Sequence, residues 1–243
     1  MRRLFITPDR ITGDAIALQT REIRYLVRVL RLEAGDHVIV FSGEGQEYVT
    51  ELVFDETGGF SLVIEEAFEP QRESPLRLIL AQGLLKGEKM KFVVQKATEL
   101  GVTSIIPLIT SRAIPTVEEN RETLRIQRWQ KVAQEAAKQS GRTVVPRMHP
   151  FMTFEELLDR KEGAGVILWE DEPFPLRAAL ATLGSPELLT VAIGPEGGFS
   201  EQEVANAQQN GFVSAGLGRR VLRAETAAVA VMSILQHAFG DLG

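Results

Sequence analysis

Cysteine is absent from the 243 residues. That excludes a disulfide framework, a thiolate nucleophile and a zinc site built with Cys ligands. It suits a reducing compartment, and a cytoplasmic location is expected. Histidine is scarce: His37, His149 and His237 stand far apart, and no metal is expected. No apolar run is long enough to span a bilayer, so no membrane partner is expected either. The start, MRRLFITPDRITGD, has basic residues but no long apolar stretch, so no signal peptide is expected.

What is present is ordinary for a globular chain: 44% apolar and 25% charged residues. The length allows one large domain, or a small one plus a medium one. The net charge of −6, taken alone, argues against nucleic acid. Its distribution matters more. Residues 1–31 hold seven arginines against three acids, whereas residues 32–74 hold eleven acids against one arginine. The first segment reads as a basic face on an acidic protein, or as a solvated helix face.

Residues 1 to about 70 read as mostly β. HVIVFSG (37–43), EYVTELVFD (47–55) and FSLVIEEAF (60–68) are separated by Gly43-Glu44-Gly45 and Gly58-Gly59, and they predict a small barrel. EPQRESP (69–75) reads as a linker. From residue 76 strand and helix alternate. LRLILAQ (76–82) is a strand, and residues 87–100 form a helix with Met90, Val93, Val94, Ala97 and Leu100 on one face. Gly101 is a natural C′ residue. VTSIIPLI (102–109) is a strand and residues 121–139 a long helix, with Trp129 in its core face. GVILWE (165–170) and LLTVAIG (188–194) are near-continuous apolar runs, the pattern of parallel strands covered on both faces. Ser200 and Glu203 have capping-box spacing, Gly211 ends that helix, a short strand runs to Leu217, and an apolar helix spans about 225–238. That helix is apolar on more than one face, which predicts burial on several sides. The fold class is α/β, divided at 1–72 and 73–243.

VAIGPEGGFSEQE (191–203) places Gly-Pro-Glu-Gly-Gly at a strand end. Ligands of open parallel sheets sit outside the carboxyl ends of the strands, and glycine lets backbone approach a ligand closely. The stretch is neither a dinucleotide fingerprint nor a phosphate loop. By itself it reads equally as a tight turn or as a ligand-binding loop. Two further strand ends carry polar tails, LWEDE (168–172) and LGRRVLRAETA (217–227). Arg219, Arg220 and Arg223 read as solvated or as facing a shared pocket. Glu225 reads as favourable charge at a helix N-terminus.

LLKGEKMKFVVQKATELGVTSIIPL (84–108), RWQKVAQEAAKQSGRTVVP (128–146), IGPEGGFSEQE (193–203) and LGRRVLRAETAAVAVMSIL (217–235) resemble the signature segments of one family. It is the RsmE family of 16S ribosomal RNA uracil-N3 methyltransferases, in the SPOUT superfamily. YLVRVLRLEAGDHVIVFSGEGQEY (25–48) is similar to that family's PUA-like RNA-binding barrel. The resemblance implies a C-terminal SPOUT domain with a parallel sheet and a deep trefoil knot, preceded by a small PUA-like β-barrel domain. It implies S-adenosylmethionine as cofactor, a homodimer, and 16S rRNA in the small ribosomal subunit as partner. Carried over by position, the cofactor residues are Leu168, Glu170, Gly194, Glu196, Gly197, Leu217, Gly218, Arg220, Leu222 and Ala227. Phe199 is expected as a packing plug under the loop. Arg2, Arg3, Arg10, Arg28 and Arg31 match the basic N-terminal surface and are expected to meet RNA, because lysine and arginine neutralise phosphates. Arg142 is expected at RNA or at the active site. For Lys86, Lys89 and Lys96, RNA, dimer contact and solvent all stand open.

Uridine N3 carries a proton at neutral pH, so methylation needs a base or a cation that stabilises the anion. Arg223 is the expected anion stabiliser, in the manner of an oxyanion-hole donor. Glu196 is either the proton acceptor or purely a cofactor residue. Competing functions are a SPOUT methyltransferase acting on another RNA, and a non-catalytic RNA-binding or ribosome-assembly protein.

Overall fold

The computed structural model describes residues 2–54, 59–112 and 119–243. Asp55 and Gly58, expected at a strand end and in a turn, lie outside them. The chain forms two compact units. One comprises Met1–Glu73 and Ala137–Val145, the other Ser74–Ala136 and Pro146–Gly243. No helix among the described residues is long and apolar enough to cross a membrane.

In the first unit, in chain order, are β1 (Arg3–Phe5), β2 (Ala15–Ala17), α1 (Thr20–Ile23), β3 (His37–Phe41), β4 (Glu47–Phe54) and β5 (Phe60–Phe68). They build one five-stranded sheet in the order β1-β3-β4-β5-β2. β3, β4 and β5 pair antiparallel, and β1 runs parallel to β3. Alternate side chains of a strand face opposite sides, and the inward set packs as Leu4, Ile6, Ile16, Val38, Val40, Leu52 and Leu62, closed by Leu26 and Leu32. Leu26 lies in a π-helical stretch, Arg24–Val29, that continues α1. Residues 143–145 join this unit through backbone bonds to the 43–45 turn: Gly45 donates to Thr143 at 3.2 Å and Val145 to Gly43 at 2.9 Å.

The second unit holds β6 (Arg77–Gly83), α2 (Lys89–Glu99), β7 (Ser104–Ile109), α3 (Glu119–Ser140, whose last turn belongs to the first unit), β8 (Arg147–Met148), β9 (Met152–Thr153) and α4 (Phe154–Asp159). β10 (Ala164–Leu168), α5 (Leu176–Thr182), β11 (Leu188–Ile193), α6 (Glu201–Gln209), β12 (Phe212–Ala215) and α7 (Ala224–Phe239) follow. The sheet runs β12-β10-β11-β6-β7-β8, with β9 also on β7. Every pair in it is parallel. The continuous apolar runs of β10 and β11 are buried on both faces, as a sheet sandwiched by helices requires. Gly101 (φ +78°) and Gly211 (φ +76°) stand just past α2 and α6 in the left-handed region, where a side chain is strained.

The expected elements lie within about two residues of the observed ones, the usual uncertainty of helix and strand ends. β1, β2, β8 and β9 are two or three residues long, too short to show a period. Within the chain α7 buries Ala228, Val231, Met232, Leu235 and Gln236, a single stripe, while Ala227, Val229 and Ala230 are half-buried and Ile234 is 40% exposed.

Candidate active site

β11 and β12 flank β10 in parallel register, so all three strands release their chains from one edge. The three tails, the start of α7 and Lys89 of α2 enclose a cavity of about 240 Å³. Leu168 ends β10 and Glu170 follows it, Gly194 and Glu196 follow β11, and Leu217, Gly218, Arg220 and Leu222 follow β12, with Ala227 in α7. All of these line the cavity, at the edge where parallel sheets bind ligands. Gly197 does not line it.

Backbone geometry explains the glycines. Gly198 N–H donates to Pro195 C=O at 3.0 Å, closing a tight turn. Gly198 has φ +68°, and a Cβ there would collide with the Glu170 carboxylate. A Cβ on Gly194 would sit 2.9 Å from the Gly198 carbonyl carbon. Gly197 faces away from the cavity, toward Arg112, whose Nη1 donates to the Gly197 C=O at 3.0 Å. Gln82, fully buried at the end of β6, donates from Nε2 to Gly194 C=O at 3.2 Å. Beneath the loop Phe199 is buried against Phe154, with ring centroids 5.4 Å apart. Ser200 and Glu203 form the expected capping box. Glu203 also accepts from Ser111 N–H at 2.8 Å and Ser111 Oγ at 2.9 Å, a tether to the chain after β7 that spacing could not reveal. Burial pushes the Glu203 pKa up, but these bonds outweigh it and hold the carboxyl below its ordinary value.

Charges of both signs meet at the cavity. Glu196 Oε1 accepts from Lys86 N–H at 3.2 Å and from Lys89 Nζ at 3.2 Å. Desolvation raises its pKa, yet the backbone N–H groups of Lys86 and of Glu196 itself, with Lys89, hold it below the ordinary value. Lys89 Nζ also lies 3.7 Å from Glu225 Oε2. Arg220 and Arg223 line the wall and are exposed, and Arg223 is the N-cap of α7. Gly198 of the Gly-Pro-Glu-Gly-Gly loop lines the cavity too, as do Lys89, Trp169, Ile193 and Glu225, which are not among the expected cofactor residues. For Glu225 the available signal is the helix N-terminus alone, and for Lys89 there is none. Among the described residues no cluster of three or more His, Asp or Glu is placed to hold a metal ion.

The N-terminal arginines divide. Arg28 and Arg31 are exposed, with no ion pair among the described residues, and Arg31 has φ +56° just beyond the π-helical stretch. Arg2, partly exposed, lies 3.4 Å from Asp36. Arg10 is held by Glu22 through two bonds of 2.6 and 2.8 Å. Arg3 and Arg142 correct the expectation of an RNA-facing role, because both are buried. Arg3 pairs with Glu47, donates to the Arg142 carbonyl at 2.9 Å, and lies 4.5 Å over the Phe41 ring. Arg142 pairs with Glu73 at 2.6 Å. Their partners lie 44 and 69 positions away in sequence, so a count of local charge could not reveal them. Arg142 belongs to the first unit and does not line the cavity.

Comparison with known proteins settles the family. Residues 72–236 match the family described as RNA methyltransferase domain, and residues 18–65 match the RNA methyltransferase PUA domain. The chain is 32% identical over 247 residues to Ribosomal RNA small subunit methyltransferase E of Bacillus subtilis, covering 98% of this chain and 96% of that one. This chain belongs to the ribosomal RNA small subunit methyltransferase E family. The Synechocystis member is 33% identical over 236 residues, covering 95% of this chain and 76% of that one. The family member from Neisseria gonorrhoeae, solved bound to S-adenosyl methionine, superposes with a TM-score of 0.88 at 31% identity over the full length of both chains. The α/β architecture with an N-terminal PUA-like domain is therefore the family's.

Proposed function

We propose that this chain transfers a methyl group from S-adenosylmethionine to N3 of a uridine in 16S rRNA of the small ribosomal subunit. The observation that carries this reading is convergence. Residues from three separate stretches line one cavity with glycine backbone in its wall, and the family has a member with this cofactor bound. The residues fit the cofactor. Leu168, Trp169, Ile193, Leu217 and Leu222 supply an apolar wall for a flat base, and the backbone of Gly194, Pro195, Glu196 and Gly198 lies beside it to meet its polar edge. Glu170, Glu196 and Glu225 in the wall outnumber Lys89, and carboxylates suit a cation. When bound, the cofactor supplies an electrophilic methyl group on a sulfonium.

The chain must then help uridine lose its N3 proton. Arg223 stands at the cavity wall and stabilises the anion that develops on O2 and O4. Glu196 serves as a cofactor-side residue rather than as the base. Its carboxylate already accepts two hydrogen bonds, and a depressed pKa makes a weaker proton acceptor. The exposed Arg28 and Arg31 meet phosphates. Exposed Ile234 of α7 and exposed Phe92 of α2 support a homodimer. The family's trefoil knot and a cytoplasmic location complete the reading.

Mass spectrometry of 16S rRNA nucleosides, before and after incubating unmodified small subunits with protein and cofactor, tests it. A gain of N3-methyluridine is expected. Methylation at another position would redirect the target, and no methylation with intact RNA binding would favour the non-catalytic reading.

A further inference from the structure

One ammonium joins three parts of the cavity wall. Lys89 opens α2, and its Nζ lies 3.2 Å from Glu196 Oε1 in the loop after β11 and 3.7 Å from Glu225 Oε2 in the first turn of α7. Among the described residues Glu225 Oε2 is shut off from solvent and accepts no hydrogen bond, and the charge beside it is that of Lys89. Without it a buried carboxylate oxygen would be costly.

Lys89 also sits where helix physics disfavours it. The N-terminus of a helix carries positive partial charge and repels a cation; the first turn of α2 holds no acid, and its N-cap, Glu88, pairs with Lys91 and Arg128 rather than with Lys89. Local preference therefore gives no reason for a lysine here, while Glu196 and Glu225 do. Departures of this kind concentrate at functional or strained sites.

We propose that Lys89 is a positioning residue of this site: its ammonium ties the 194–198 loop to the start of α7, so that the cavity holds its binding shape before a ligand arrives. The inference rests on the functional reading above. A wall already ordered spares the cost of ordering it during binding. With its two carboxylates Lys89 leaves one net negative charge on the side proposed to meet a cationic methyl donor.

The test is calorimetric titration of S-adenosylmethionine into wild type, Lys89→Met, Lys89→Arg, Glu225→Gln, Glu196→Gln and the double variant Lys89→Met/Glu196→Gln. Amide exchange of residues 196–198 is followed in the cofactor-free proteins. Lys89→Met is expected to raise Kd by about tenfold, the scale of parting a charge from a partly buried partner. Lys89→Arg should recover most of the affinity, and exchange of the loop amides should rise in Lys89→Met, Glu196→Gln and Glu225→Gln, each of which cuts the tether, and stay at the wild-type level in Lys89→Arg. The double variant should bind no worse than the weaker single one, because both changes remove the same interaction. Wild-type affinity in Lys89→Met, or Lys89 and Glu196 effects that simply multiply, would overturn the proposal. If Lys89→Met does not fold, Glu225→Gln decides through the loop amides: faster exchange of residues 196–198 in the cofactor-free protein supports the tether, and wild-type exchange overturns it. Failure of the wild type to bind the cofactor would instead bring down the functional reading, and the inference with it.

Discussion

Arg3, Arg10 and Arg142 of the first unit each lock onto a carboxylate, Glu47, Glu22 and Glu73 respectively. Arg219, Arg220 and Arg223 of the second unit are exposed, with no ion pair among the described residues. The residue type is the same and the outcome opposite. In the first unit arginine replaces apolar packing at the join between the sheet and residues 137–145. Arg3 reaches the carbonyls of Ala137 and Lys138 at 3.3 Å each, and Arg72 reaches that of Gly141 at 3.2 Å. Glu73 holds the other side by accepting from Thr143 N–H at 2.9 Å and Val144 N–H at 3.1 Å. Burial raises its pKa, and Arg142 with these N–H groups brings it below the ordinary value. Charge committed in this way cannot meet a ligand without breaking the fold. At the cavity of the second unit the guanidinium groups are uncommitted, which is the condition for a group that must meet developing charge.

The contrast can be broken most forcefully at Arg3. Arg3→Ala leaves Glu47, 1% exposed, with Arg72 as its remaining cation. Breaking a buried pair from one side costs about 3–5 kcal/mol. Urea unfolding followed by fluorescence should show that loss, and a change under about 1 kcal/mol would place Arg3 with the surface arginines.

At Arg223 the sign of the comparison reverses. Arg223→Ala should leave stability within about 0.5 kcal/mol, as for exposed positions. It should slow single-turnover methylation by about a hundredfold, the scale for one oxyanion donor, with cofactor Kd little changed. A wild-type rate at saturating RNA and cofactor would move the role to another residue of the wall, with Arg220 next.

The smallest effect sharpens the comparison within the first unit. Arg28→Ala with Arg31→Ala should unfold like wild type, again within about 0.5 kcal/mol. RNA affinity should fall, and the slope of log affinity against log salt should shrink by about 0.7–0.9 for each phosphate that is no longer neutralised. An unchanged slope would return both residues to plain solvation.

Much of the second unit is legible in the order of its amino acids. β10 and β11 stand out as continuous apolar runs, α2 by its helical spacing, and α6 by Ser200 and Glu203, because each pattern follows from backbone geometry a few residues long. The loop at 194–198 is legible as a place, since its glycines at a parallel strand end read as a tight turn or a ligand-binding loop and two further strand ends carry polar tails. Which glycine does what is not. Gly197 and Gly198 are neighbours with the same composition signal, yet only Gly198 faces Glu170 with a left-handed backbone, and Gly197 turns toward Arg112. β8 and β9 stay hidden because two residues carry no period, and the single buried stripe of α7 stays hidden because Val229 and Ile234 look as apolar as Val231.

By itself the sequence determined the longer strands and helices, their order, and the strand ends from which the site is built, since period, capping and turn chemistry are local. Only the tertiary structure decided which arginines are inside, that Lys89 stands between Glu196 and Glu225, and that Glu203 reaches Ser111. Those pairings join residues from 44 to 139 positions apart. Charge acts across space rather than along the chain, so its partners exist only once the sheet has set which faces meet.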